Sequence, residues 1–388
     1  MISKFKSILK SNKVILNTYE YFFQRDIINL FSSSCSQRVL ISYSTYHFNK
    51  KSYTSHSNYQ ESKVIADIFN RMGYQVDVTN NNKITKLDLS QYDVIFGEGL
   101  PLYQALEYDT KAIKIYYGTG SHPFHCTQSS YSRLIDFHKK NKFLAASSLR
   151  VSDARWGVAA SLADAVICIG NENTKKTFLL NGSKNVHTIT PTFHKREDSE
   201  SIGKSRDFKT CRKTMLWFGS YGLLHKGLDL AVEAIKKNPE WTLHICGYTP
   251  TEKEFLDALS LPINAIVHGF IDVYSDEFKA LASECCFVLL PSCSEGTATA
   301  VITAIGNGAM LPIVTKECGY DVNTEGFIIE LSVESIESEL KKINKMSVQE
   351  LKELSLQGQH AAIKKYTLEN FKLQMEANIR AVLDTELN

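Results

Sequence analysis

Residues 291–319 read PSCSEGTATAVITAIGNGAMLPIVTKECG, and they follow an unbroken apolar run, Phe287-Val288-Leu289-Leu290. Such a run, short and bounded by a Pro, is the pattern of a strand buried on both faces. Pro291 to Gly296 then reads as a turn, and residues 297–306 as a helix whose Ala, Gly and Thr residues permit close approach. Strand, turn and helix in that order belong to a parallel α/β sheet, with the helix N-terminus at the carboxyl edge of the strands. Unpaired first-turn amides and the helix dipole favour phosphate there. Glu295, a carboxylate beside them, repels phosphate and suits a neutral polyhydroxylated group. A phosphate joined to a sugar is the ligand this pairing implies.

Outward from that stretch, strand-like and helix-like segments alternate in two series. The second series has strands at residues 214–218, 241–246, 265–268, 287–290 and 311–314, with helices at 227–237, 252–259, 276–284 and 297–306 between them. The first has strands at residues 38–43, 75–78, 92–97, 114–117 and 165–169, and a helix at 58–72. The expected architecture is therefore two Rossmann-like parallel sheets facing each other across a cleft. An N-terminal extension (residues 1–37) precedes the first domain (38–195), and a charged stretch without period (196–212) reads as a linker. The second domain (213–365) is followed by a C-terminal helix (366–388) that crosses back to the first.

The length, 388 residues, accommodates two or three such domains. Hydrophobic content of 43%, charged content of 22% and a formal charge of +2 describe a soluble globular protein with no bulk attraction for nucleic acid, so a small partner is expected. Nine cysteines without regular spacing, most in apolar segments, read as unpaired thiols of a reducing, cytoplasmic compartment. No run approaches the roughly 18 apolar residues of a membrane span. The first residues, MISKFKSILKSNKVIL, are too interrupted for a signal peptide but alternate Lys with apolar residues, a pattern open to a surface helix or to peripheral membrane contact. Lys139, Lys140 and Lys142 form a second basic cluster, open to contact with an anionic lipid head group or to reading as a plain exposed loop.

Ligands in open parallel sheets sit beyond the carboxyl ends of the strands. After the first strand of the second series come Gly219, Ser220, Tyr221, Gly222, His225, Lys226 and Gly227; after the second, Gly247; after the third, Phe270; after the fourth, Glu295, Gly296 and Thr297. Lys226, at the mouth of a helix, is placed as a point charge for a diphosphate. The glycine spacing is neither GxGxxG nor a P-loop, which argues against a hydride cofactor or ATP chemistry, and neither HExxH nor paired CxxC occurs. No metal or other cofactor is expected. Glu61, in HSNYQES, opens a first-domain helix and is a candidate acceptor contact, although a solvated helix-face Glu explains it as well.

WFGSYGLLHKGLDLAVEA followed by LLPSCSEGTATAVITAIGNGAMLPIVTKECG resembles the C-terminal domain of GT-B glycosyltransferases, in the large retaining group called family four. HSNYQESKVIADIFNRMGYQVDV and YYGTGSHPFHCTQ are similar to N-terminal segments of bacterial members. The resemblance implies that Lys226 binds the donor diphosphate, that Glu295 receives hydrogen bonds from donor-sugar hydroxyls, and that Gly296 and Thr297 amides help hold the phosphate or sugar. It further implies that His122 faces the sugar across the cleft. Members usually carry a second Glu eight residues after the first, where this chain has Thr303, and many have Arg where it has Ser220. His225 and Tyr221 are the candidate compensating groups. The implied function is transfer of a sugar from a nucleotide-diphosphate sugar to a glycan or lipid-linked acceptor, with retention and without a metal, in surface polysaccharide biosynthesis. A non-catalytic nucleotide-sugar-binding or transferase-partner protein is the alternative.

Overall fold

A computed structural model describes residues 25–49, 57–247 and 250–386; residues 1–24, with their amphipathic stretch, lie outside the described residues. The first sheet contains β1 (Gln37–Ser42), β2 (Tyr74–Thr79), β3 (Val94–Gly97), β4 (Ile113–Gly118), β5 (Ala165–Ile169) and β6 (Val186–Ile189), in the order β2-β1-β3-β4-β5-β6. The second contains β7 (Thr214–Phe218), β8 (Thr242–Cys246), β9 (Ala265–Gly269), β10 (Phe287–Leu290), β11 (Leu311–Thr315) and β12 (Phe327–Ile329), in the order β12-β11-β10-β7-β8-β9. Every neighbouring pair is parallel. Helices cover both faces of each sheet, which is why AVICI in β5 and FVLL in β10 are apolar and buried at every position.

Strand order reverses between β1 and β3 in the first sheet and between β10 and β7 in the second. Adjacent loops diverge to opposite faces at such switch points and leave a crevice beyond the strand ends. The two crevices face each other, since residues from both line common cavities.

The C-terminal helix Leu368–Glu386 crosses to the first domain, where Phe371, Met375 and Ile379 are buried with Val39, Ile68 and Phe69. The helix before it, Val348–Lys365, stays on the second domain through Leu351 and Ala362. Residues 196–212 are not an irregular tether: Ser199–Ser205 and Phe208–Cys211 are short helices whose Ile202, Phe208 and Cys211 are buried in the second domain's core. Their arginines are structural. Arg196 donates to the Val273 and Ser275 carbonyls, and Arg206 is buried against the carbonyls of Ala282, Gly308 and Ala309.

Candidate active site

Lys226 and Glu295 arrive from the two loops that flank the β10/β7 switch point, and their charged groups are in contact. Two glycines allow this. At Gly227, with φ +68°, a Cβ would fall 2.1 Å from the Pro291 carbonyl oxygen, and at Gly247, with φ +94°, it would fall 1.7 Å from that of Gly219. Only a residue without a side chain fits either place. The Glu295 carboxylate also accepts from the Ser292 hydroxyl at 3.0 Å and from Arg150 Nη1 at 3.2 Å. Burial pushes its carboxyl upward, but Lys226 and then Arg150 outweigh burial and hold it down at about 2. It is a carboxylate at any physiological pH.

His225 is fully buried behind the pair. Its Nε2 lies 2.5 Å from the Ser294 carbonyl oxygen, which must accept, so Nδ1 is left to accept from the Ser130 hydroxyl at 2.7 Å. Burial brings its pKa down to about 4, and the ring is neutral. Ser130 belongs to the first-domain helix Pro123–Asn141, which also gives Arg133 to a buried pair with Asp229 at 2.6 Å and Phe137 to an aromatic contact with Phe255 at 5.2 Å. Ser121 and Ser294 hydroxyls meet across the same seam.

Two cavities open beyond the strand ends. The larger, about 630 Å³, has Gly219, Ser220, Gly247, Phe270, Thr299 and Thr303 on one wall and Tyr43, Asn58, Glu61 and Thr119 on the other. The smaller, about 280 Å³, is bounded by Tyr221, Ser294 and Glu295 on one side and by Glu98, Thr119, Arg150 and Trp156 on the other. Thr119 borders both, so the two are neighbouring parts of one cleft.

Several expected contacts are placed differently. His122 does not face the cleft: its Nδ1 accepts from the Phe124 amide at 3.1 Å as the cap of Pro123–Asn141, and its Nε2 lies 3.1 Å from the Ser161 hydroxyl. Burial takes that ring to a pKa of about 4, inside the first domain. The helix after β10 begins at Thr299, not Thr297, so Thr299 and Ala300 open on the larger cavity. Gly296 instead abuts the first domain, where a Cβ would come 2.5 Å from the Ile169 carbonyl oxygen, and the Thr297 hydroxyl donates to the Gly319 carbonyl at 3.1 Å. In the glycine loop, the amides of Gly222 and Leu223 donate to Glu252 Oε1 at 3.0 and 2.8 Å. Those donors are already engaged. Glu61 is buried, accepting from the Thr192 amide and hydroxyl at 2.9 Å each, and it borders the larger cavity alongside the expected donor residues.

Arg150 and Glu98 were not anticipated. Glu98 follows β3 at the first sheet's switch point, accepts from Asn81 Nδ2 at 2.9 Å, and is raised by burial to about 7. Its only sequence signal is its position after an apolar strand; Arg150, in a loop, has none. The nine cysteines form no disulfide, and seven are buried. Among the described residues no group of three His, Cys, Asp or Glu side chains is placed to hold a metal ion, and no helix is long and apolar enough to cross a membrane.

Residues 212–345 match the family of glycosyl transferases group 1. The chain is similar in fold to sucrose-phosphate synthase from Thermosynechococcus elongatus, with a TM-score of 0.62, 14% identity, and coverage of 90% of this chain and 100% of that one. It is similar also to Anabaena HepE, whose structure contains UDP and glucose, with a TM-score of 0.56, 14% identity, and coverage of 90% and 100%. A glycosyltransferase from Rickettsia africae gives a TM-score of 0.54 at 13% identity, with coverage of 91% and 99%. No curated protein matches the chain in sequence.

Proposed function

We propose that this chain, a GT-B fold whose second domain is that of the group 1 glycosyl transferases, moves a sugar from a nucleotide-diphosphate sugar to a glycan or lipid-linked acceptor. The observation that carries the proposal is the contact of Lys226 with Glu295 at the switch point of the second sheet, where Glu295 borders the smaller cavity and Thr119 joins that cavity to one of about 630 Å³ lined by the loops after β7, β8 and β9. That volume is within the usual range for a small-molecule site. The nucleotide occupies it over Gly219, Ser220 and Gly247, with the Phe270 ring, 72% exposed, offered to the base. Thr303, where the family usually has Glu, offers a hydroxyl to the ribose. The N-terminus of helix Thr299–Gly308 and the Lys226 ammonium serve the diphosphate. The sugar passes Thr119 into the smaller cavity, where Glu295 accepts from its hydroxyls.

The chemistry asked of the protein is stabilisation of a leaving diphosphate by fixed positive charge. Among the described residues two carboxylates border the smaller cavity: Glu295 is held ionised by Lys226 and Arg150, and Glu98 is raised by burial to about 7 and accepts from Asn81, which suits it less to forming a covalent sugar. Retention is then served by attack from the face that the diphosphate leaves, with the departing phosphate taking the acceptor proton. Lys226 supplies the neutralising charge, so we propose that no metal is needed. A cytoplasmic role in surface-polysaccharide assembly, at the membrane's inner face, is the setting proposed. The exposed apolar residues Phe124, Tyr131 and Ile135 on the helix that ends near Lys139 favour it.

The test is release of nucleoside diphosphate from a panel of UDP- and GDP-sugars by wild type, Lys226→Ala and Glu295→Ala. Turnover is expected to fall by roughly 10²–10³ in each variant, as when a transition-state charge partner is removed, and to survive EDTA in the wild type. Unchanged turnover in both variants would defeat the proposal. The non-catalytic reading is favoured by one observation, that Glu295 already neutralises Lys226, and it predicts binding of a nucleotide sugar without turnover.

A further inference from the structure

Residues Ala145 to Ser152 follow the first-domain helix Pro123–Asn141 and reach to the second domain. Ala145 and Leu149 are buried in the second domain's hydrophobic core, together with Phe137 from the preceding helix. The Ser148 carbonyl accepts from the His225 amide at 3.3 Å, and the Arg150 amide donates to the Ser130 hydroxyl at 3.2 Å. This segment roofs the glycine loop, and the stem of Arg150 lies on Gly222, where a Cβ would come within 2.8 Å of its Cγ. Gly222 has φ +95°, so the absence of a side chain serves both the turn and the Arg stem. The guanidinium ends at Glu295, 38% exposed and on the wall of the smaller cavity.

Charge gives that position its meaning. Lys226 and Glu295 together sum to zero, and His225 beside them is neutral. A neutral pair is a poor trap for an anion. With Arg150 the cluster of Lys226, Glu295 and Arg150 carries one net positive charge, and the added cation is the planar, forked group best shaped for phosphate oxygens. Ser220, on the wall of the larger cavity, offers only a hydroxyl.

The geometry points to Arg150 as a phosphate ligand that the first domain lends to the donor site, so that the diphosphate is held by one cation from each domain. This rests on the donor reading above. When a diphosphate enters, Arg150 leaves Glu295 for it, which frees carboxylate oxygen for the sugar hydroxyls. Arg150 thus becomes a sensor of donor occupancy located on the acceptor side.

The experiment is calorimetric titration of wild type, Arg150→Gln and Arg150→Lys with UDP, with inorganic pyrophosphate and with uridine. Arg150→Gln is expected to weaken UDP and pyrophosphate roughly 10- to 100-fold, the loss typical of a hydrogen bond to a charged group. Uridine affinity should stay at the wild-type value, and Arg150→Lys should recover part of the loss. Thermal melting of each variant without ligand reports whether it folds. Equal losses for uridine and UDP would mean that Arg150 only shapes the loop and would overturn the inference. Wild-type binding of UDP matched by Arg150→Gln would overturn it while leaving the donor reading intact. If the wild type binds neither UDP nor pyrophosphate, both fall together.

Discussion

Lys226→Met removes the nearer of two cations from a carboxylate whose side chain is only 9% exposed. The Glu295 carboxyl lies at about 2 in the folded chain against an ordinary 4.5. At 1.36 kcal/mol per pH unit that gap corresponds to roughly 3 kcal/mol of folding stability. Because the folded value is the lower one, the stabilisation is complete above about pH 4.5 and is lost as the pH falls toward 2. Lys226 is the larger of the two favourable charges, with Arg150 behind it, so the substitution is expected to remove about 2 kcal/mol at pH 7. For a domain of this size that is a drop in melting temperature of roughly 4–8 °C. Thermal melts followed by circular dichroism at pH 7, 5, 4 and 3 should show the deficit full at the upper two values and shrinking at the lower two. Lys226→Met combined with Glu295→Gln should regain most of the loss, since removing both members of a buried pair leaves no charge stranded. Neither variant should support transfer, which separates folding from function. A single mutant as stable as wild type at pH 7, or a double mutant no more stable than the single, would refute the reasoning.

Gly296→Ala places a methyl group 2.5 Å from the Ile169 carbonyl oxygen and 3.1 Å from Gly120 Cα, both in the opposing domain, with no conflict in its own backbone angles. It should act as a wedge, costing about 1–3 kcal/mol as overpacking does, and small-angle scattering should show a larger radius of gyration than wild type. Phe371→Ala empties a fully buried position where the C-terminal helix meets the first domain. The expected loss is about 3–5 kcal/mol, seen by calorimetry as a lower first-domain transition, while UDP affinity of the folded fraction is unchanged.

Both sheets are legible in the chain because their strands are buried on two faces and read as apolar runs, and the residues that follow them fall at one edge by topology alone. Lys226 and Glu295 could be paired in this way although 69 positions apart. Elements at sheet margins escape the same logic: β6 is VHTI and β12 only three residues, too short and too polar for a pattern. Residues 196–212 misled through their charges, because an Arg reads as solvated until its carbonyl partners are known, and those of Arg206 lie more than 70 positions away. His122 shows a different limit. Its place after β4 is correct for a cleft residue, yet the following Pro123 starts a helix, and the ring is drawn back to cap it. Side-chain direction, unlike strand position, is settled by such local competition for unpaired amides.

The pairing of Lys226 with Glu295 bears on how the proposed donor site, with Ser at 220 and Thr at 303, is balanced in charge. A buried cation awaiting phosphate and a buried carboxylate awaiting hydroxyls would each be stranded in the empty protein, at several kcal/mol apiece. Placed in contact, and with Ser292 and Arg150 completing the carboxylate's shell, they satisfy one another until a donor arrives. In the proposed donor complex a nucleotide sugar would bring both complements in one molecule, its diphosphate for the cations and its hydroxyls for the carboxylate. Binding is then an exchange of partners with little new burial of charge, and a free nucleoside diphosphate, which has no sugar to offer Glu295, completes only half of it. The donor should accordingly bind more tightly than its diphosphate product in wild type, and Glu295→Gln should narrow that preference, since it takes the carboxylate from the sugar and leaves Lys226 and Arg150 unpaired for the diphosphate of either ligand.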